Sequence, residues 1–149
     1  MRALLDTNLF LDVILKRDKH YKDSSKIWSL ISDKKLKGYI SAISINNLYY
    51  ILRRIIEIKL VEKFIDQILD EFEIVPLTKE ILKLARTLTN KDYEDSIQYF
   101  SAINFACDFI ITRNKSDFPH TGIKILNPSE FLEMLQAEEM VFNDIISDV

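Results

Sequence analysis

Five short apolar segments, each separated from the next by enough chain to form a helix, recur along this sequence, and that alternation constrains the fold more tightly than anything else in it. The segments span residues 2–5, 38–43, 73–77, 109–112 and 123–126, and they read as strands. Between them the spacing predicts helices over residues 8–16, 21–31, 45–56, 61–69, 81–88 and 92–106. The clearest is the third, where Ile45, Leu48, Tyr49, Leu52, Ile55 and Ile56 recur at i, i+3, i+4, i+7, i+10 and i+11 behind Ser44 as N-cap. Strands joined by helix-length connections run parallel through right-handed crossovers. The expected fold is therefore α/β, a three-layer α/β/α sandwich around a central, mainly parallel sheet. A last helix is expected near residues 131–135, leaving an acidic, partly apolar tail at 137–149 beside a single domain at 1–136.

The 149 residues are 48% hydrophobic with only two glycines and three prolines, which supplies one core and excludes a linker or low-complexity protein. A formal net charge of −3 excludes a strongly basic nucleic-acid platform, while leaving room for a local basic strip. Cys107 is the single cysteine and His20 and His120 are the two histidines, so neither a disulfide framework nor a Cys/His zinc cage can form within one chain. Cys107 reads as a buried small apolar residue. No segment approaches the roughly 18 apolar residues of a spanning helix, and the apolar run after Met1 is too short for a signal-peptide core. A cytoplasmic protein without membrane contact is the expectation.

In open parallel sheets, ligands bind outside the carboxyl ends of the strands, so the residues just after each strand carry the search for chemistry. Asp6, Thr7 and Asn8 follow the first strand, Asn46 and Asn47 lie in the first helical turn after the second, and Thr112, Arg113 and Asn114 follow the fourth. Asp92 and Asp95 begin the helix that feeds the fourth strand. These are carboxylate, amide and hydroxyl oxygens without a nucleophilic Ser, Cys or catalytic His, and such hard ligands suit Mg²⁺ or Mn²⁺. Clustered carboxylates raise one another's pKa unless a cation sits between them, and a cation there would also offset the charge of a phosphodiester. Metal-dependent phosphodiester hydrolysis is the reaction class this suggests. Plainer roles stand beside it: Asp92 and Asp95 also fit an N-cap and its N3 position, Asn8 a helix cap, Thr112 a sheet partner and Asp117 a turn. Asp6 differs, because a carboxylate directly after a buried strand is costly without a partner.

Taken together, Leu4-Leu5-Asp6-Thr7-Asn8, the Asp92-Tyr93-Glu94-Asp95 block ending at Gln98, and the Thr112-Arg113-Asn114-Lys115-Ser116-Asp117-Phe118 block resemble the signature blocks of PIN-domain proteins, in order and spacing, over residues 2 to 135. The subgroup they are most similar to is the VapC-like, PIN_3 type. That resemblance implies a Mg²⁺- or Mn²⁺-dependent ribonuclease and, for small bacterial members, the toxin half of a toxin-antitoxin pair, with RNA, an antitoxin protein and a second copy of the chain as partners. It implies that Asp6 and Asp95 are metal-binding and catalytic, that Asp117 or Asn114 fills the fourth acidic position, and that Asp92 is an extra acid. The sequence departs from the family where Asn47 replaces the usual Glu after the second strand. An amide oxygen can ligate a cation but brings no charge. A PIN fold that binds RNA or a protein partner without cutting is therefore the alternative.

RNA binding needs cations, and Lys16, Arg17, Lys19, Arg53, Arg54, Lys59, Lys63, Arg113 and Lys115 are the candidates, with Arg53, Arg54 and Arg113 on or beside the elements that carry the polar cluster. Tyr49, Tyr50, Tyr93, Tyr99 and Phe100 could stack on bases, but their helical spacing also suits a core. The tail at 137–149 has enough apolar residues to dock on its own domain, a second copy or an antitoxin-like partner.

Overall fold

The computed structural model describes residues 1–147. Its strands are β1 (Arg2–Leu5), β2 (Lys37–Ser41), β3 (Glu73–Val75), β4 (Phe109–Ile111) and β5 (Lys124–Leu126). All four pairings are parallel, in the order β3-β2-β1-β4-β5. The helices are α1 (Thr7–Ile14), α2 (Tyr21–Ser32), α3 (Ala42–Leu52), α4 (Ile58–Glu71), α5 (Lys79–Ala85), α6 (Tyr93–Asn104) and α7 (Pro128–Ser147), with a short 3₁₀ turn at Lys115–Asp117. Because side chains alternate along a strand, β1 feeds two cores at once. Ala3 and Leu5 join Phe10, Trp28, Leu48, Ile68 and Phe131 on the face covered by α1 to α4 and α7. Leu4 joins Tyr39, Ile81, Ile97 and Ile110 on the face covered by α5 and α6. The expected three-layer α/β/α sandwich is the observed fold.

On the larger face, Phe10, Trp28 and Phe72 meet edge to face, with ring centroids 5.0 to 5.5 Å apart. Gly38 makes that packing possible, since a Cβ there would lie 2.6 Å from Ile31 Cδ1 and 2.8 Å from the Phe72 ring. The Trp28 indole N–H donates to Glu71 Oε2 at 2.6 Å, so the buried ring has its polar edge satisfied. Cys107 is buried and its thiol is pushed up to about 11 by that burial, which makes it a packing residue.

Several boundaries differ from the sequence expectation. The second strand stops at Ser41, and Ser41 rather than Ser44 is the N-cap of α3, so Ala42 and Ile43 are helical. The same helix ends at Leu52 instead of continuing to Ile56: residues 53–55 form a turn and Ile55 is exposed, although its spacing continues the apolar series. Lys16 and Ala106 take left-handed backbone angles (φ 48° each), which end α1 and α6 sooner than the apolar pattern suggests. Residues 137–147, expected as a tail, continue α7 as helix, with Met140, Val141, Phe142 and Ile146 exposed; residues 148 and 149 of that expectation lie outside the described residues. Among the described residues no helix is long and apolar enough to cross a membrane.

Candidate metal centre

The chain enters β1 first and then builds the sheet outward in two directions, β2 and β3 on one side and β4 and β5 on the other. The crevice at the carboxyl ends of β1 and β4 is where such a sheet changes direction, and it is where ligands bind. Leu5 pairs in register with Ile111, so the next residues, Asp6 and Thr112, emerge side by side. Asp6 is the N-cap residue of α1, but its carboxylate makes no capping hydrogen bond. It receives the Thr112 hydroxyl at Oδ2 (2.8 Å) and the Gln98 amide at Oδ1 (3.2 Å) instead. Thr112 in turn accepts the Asn114 N–H at 3.0 Å, which turns the loop after β4 toward the crevice.

Outside this pair lies a cavity of about 440 Å³ lined by Asp6, Asn8, Asn47, Asn114 and Asp117 and by the first turn of α6. That turn brings Asp92, Glu94 and Asp95, so the lining holds five carboxylates and no Lys, Arg or His. Asp92 caps α6 as well, accepting the N–H groups of Glu94 (2.9 Å) and Asp95 (3.3 Å), so its capping role and its place in the cavity coexist. Asp95 is thereby freed from capping. Its carboxyl is pushed up to about 7, first by burial and then by the charges of Asp6, Asp92, Asp117 and Glu94. Asp6, only 4% exposed, is raised by burial against the opposing hydrogen bonds from Thr112 and Gln98. A half-buried acid crowded by four others is stabilised in its charged form by any positive charge placed among them.

All the side-chain ligands on offer are hard oxygens, which fits Mg²⁺ or Mn²⁺ completed by water. Gln98 Oε1, buried and without a hydrogen-bond partner, is one more oxygen of that kind in the residue that holds Asp6. Among the described residues no three His, Cys, Asp or Glu side chains close on one point as a finished cage does. The donor chemistry thus fits a cation bound by a few carboxylates and water rather than an all-protein cage.

Of the cations nominated by the sequence, none lines this cavity. Arg113 places Nε 3.2 Å from Asp12 Oδ2, and Asp12 is a wholly buried carboxylate that Arg17 also approaches, at 3.5 Å. Lys115 bonds both oxygens of Glu130, at 2.7 and 2.9 Å. The loop after β4 is thus tied to α1 by one cation and to α7 by the other. Arg53 and Arg54 pair with no carboxylate among the described residues and stack on Tyr50, at 5.4 and 4.2 Å from its ring centre. Tyr50 does line the cavity and is 49% exposed; Tyr49 and Tyr93 are exposed too, whereas Tyr99 is core.

Three participants escaped the sequence reading as site members: Gln98, Glu94 and Asp12. Gln98 was legible in principle, standing three residues after Asp95 and hence on the same face of α6. Asp12, an acid inside the apolar run of α1, was a signal of the same kind.

The PIN_3 family model, described as PIN domain, matches residues 2–116. Ribonuclease VapC1 of Aquifex aeolicus is 28% identical over 137 residues, covering 89% of this chain and 94% of its own length. Among solved structures, a toxin-antitoxin complex from Klebsiella pneumoniae superposes with a TM-score of 0.64 at 20% identity, covering 85% of this chain and 97% of the matched one. The DNA-bound VapBC of Salmonella typhimurium gives the same TM-score of 0.64 at 19% identity, over 86% and 98% of the two chains. With the acid-lined crevice at its sheet switch point and a family model that spans most of its length, this chain belongs to the PIN-domain family.

Proposed function

We propose that this protein is a metal-dependent endoribonuclease and the toxin of a toxin-antitoxin pair. The observation that carries the reading is the cavity of five carboxylates without a base, one of them the buried Asp6. Such a cluster is costly in a bare protein, and a divalent cation offsets that cost. The relative named as a ribonuclease and the neighbours solved as toxin-antitoxin complexes support the same function and the same class of partner.

In this reading Asp6 and Asp95 hold the cation, with Asp92 or Asp117 as a further carboxylate and Asn8, Asn47 and Asn114 as neutral oxygen donors. Bound Mg²⁺ or Mn²⁺ supplies an activated water and offsets charge on the phosphodiester in the transition state. Thr112 and Gln98 fix the Asp6 carboxylate in one orientation through their two hydrogen bonds. Arg113 and Lys115 hold the loop that carries Asn114 and Asp117 against α1 and α7. RNA approaches past Tyr50 with Arg53 and Arg54, the cations left free of carboxylates on that side. The exposed apolar residues Met140, Val141, Phe142 and Ile146 of α7 serve as the docking face for the antitoxin or a second copy.

Purified wild type and Asp6→Asn, incubated with a long mixed-sequence RNA in Mn²⁺ with an EDTA control, test the reading. Wild type alone should yield fragments, and EDTA should stop it. The loss in the variant should reach orders of magnitude, because the carboxylate is asked for several kcal/mol of charge stabilisation. Equal cleavage by both proteins refutes it. A second reading, a PIN fold that binds without cutting, is favoured by Asn47 and Asn114, two amides in the cavity where added acids would strengthen a metal site. Salt-sensitive RNA binding without cleavage in either Mg²⁺ or Mn²⁺ would select it.

A further inference from the structure

The loop after β4 lines two cavities of opposite character. Asn114 and Asp117 face the acid cavity, whereas Arg113, one residue earlier, lines a second cavity of about 290 Å³ together with Lys19, His20, Asp23, Asn127 and Ser129. The two share no lining residue. The second holds two fixed cations and an imidazole against one carboxylate, in a chain whose net charge is −3.

Part of its donor capacity is uncommitted. Arg113 turns its Nε edge onto Asp12, and its terminal amino groups hydrogen-bond nothing among the described residues. Asp12 is also shared with Arg17, so one carboxylate answers two guanidinium groups. Among the described residues Lys19 pairs with no acid, and Asn127 spends its carbonyl oxygen on Ser129 and the Glu130 N–H, leaving its amide N–H₂ without a partner there. A guanidinium fork, an ammonium and an amide around one cavity match the oxygens of a phosphate group.

We propose that this second cavity binds a backbone phosphate of the RNA strand whose scissile bond lies in the acid cavity, an assignment that rests on the ribonuclease reading. Five carboxylates repel a polyanion, and a cationic seat one loop residue away gives the strand a point of attachment on the same loop. The scissile position is thereby set by the distance along the strand between the two cavities.

The test uses the full chain carrying Asp6→Asn, in EDTA, with a labelled mixed-sequence single-stranded RNA followed by fluorescence anisotropy across a salt series. Lys19 is exposed, so Lys19→Glu leaves the fold intact. It should raise Kd several-fold at low salt and reduce the slope of log Kd against log salt by about 0.7, the value of one lost contact on a single strand. Arg113→Lys, checked for folding by thermal unfolding, should act in the same direction. In the cleaving protein with Mn²⁺, Lys19→Glu should raise KM and leave kcat within about twofold. Inorganic phosphate, titrated into the wild type and followed by amide NMR shifts at Lys19, His20 and Arg113, separates the two sources of phosphate. Shifts there with RNA affinity unchanged by Lys19→Glu would make the cavity a free-phosphate site and overturn the assignment. Unchanged Kd, slope and KM in a wild type that cleaves RNA would overturn it and leave the nuclease standing. Salt-sensitive RNA binding lost in Lys19→Glu, without cleavage by wild type, would leave the cavity an RNA-binding site, refute the nuclease and overturn the assignment to a scissile strand.

Discussion

Replacing Asp95 by Asn should stabilise the metal-free protein while weakening the metal binding proposed above. Asp95 is half-buried, and its carboxyl rises from the ordinary 3.8 to about 7. At about 1.4 kcal/mol per pKa unit the rise corresponds to about 4 kcal/mol, and solvent screening at a half-exposed position reduces this to about 2 kcal/mol. The sign follows from linkage: the folded pKa lies above the unfolded one, so the favourable contribution of the protonated acid is complete below about pH 4 and lost as pH rises through about 7. Wild type should therefore fall progressively below Asp95→Asn in stability between pH 4 and pH 8. The two should coincide in acid. About 2 kcal/mol in a domain of this size is about 6 °C in Tm. Differential scanning calorimetry in EDTA at pH 4, 6 and 8 measures it. Saturating Mn²⁺ should then reverse the order at pH 8, since ligand at a hundred times Kd stabilises the binding-competent chain by about 2.7 kcal/mol. Parallel Tm curves for the two proteins across pH would refute the claim that charge crowding in the cavity costs stability.

Asn47→Glu adds an acid to the same lining. It should tighten Mn²⁺ binding by about tenfold in calorimetric titration, through one more charged ligand, and lower metal-free stability. Thr112→Val removes the hydroxyl donor of a buried carboxylate and should cost about 1–3 kcal/mol in urea unfolding, with Asp6 titrating at still higher pH. Gly38→Ala pushes a methyl group into Ile31 and the Phe72 ring, an overpacking worth about 1–3 kcal/mol by the same assay.

The strand positions, the parallel sheet and the convergence of Asp6, Asn47, Asp92, Asp95, Asn114 and Asp117 were legible because each depends on local pattern plus one rule about where parallel strands end. The end of α3 was not, since Ile55 and Ile56 continue a helical spacing past Leu52 where the chain instead turns. The length of α7 was hidden for the opposite reason: its exposed apolar and acidic residues resemble an unstructured tail, and only its packed first half explains why the helix exists. That Arg113 and Lys115 tie their loop to α1 and α7 was beyond reach. Both sit in the loop that carries the site, which suggested substrate contact. Their partners Asp12 and Glu130 are set by tertiary folding, the first of them about a hundred positions earlier in the chain.

The bond between Asp6 and Thr112 spans 106 residues, and the strands that bring them together are the first and the fourth of the sheet. During synthesis, then, the amino-terminal half can lay down β1, β2 and β3 while β1 still lacks its other neighbour. Asp6 in that intermediate has neither its hydroxyl donor nor the acids of α6 beside it. The cluster around Asp6 is assembled only once residue 112 has emerged and a loop of that length has closed. The order of the strands alone thus delays assembly of the carboxylate cluster.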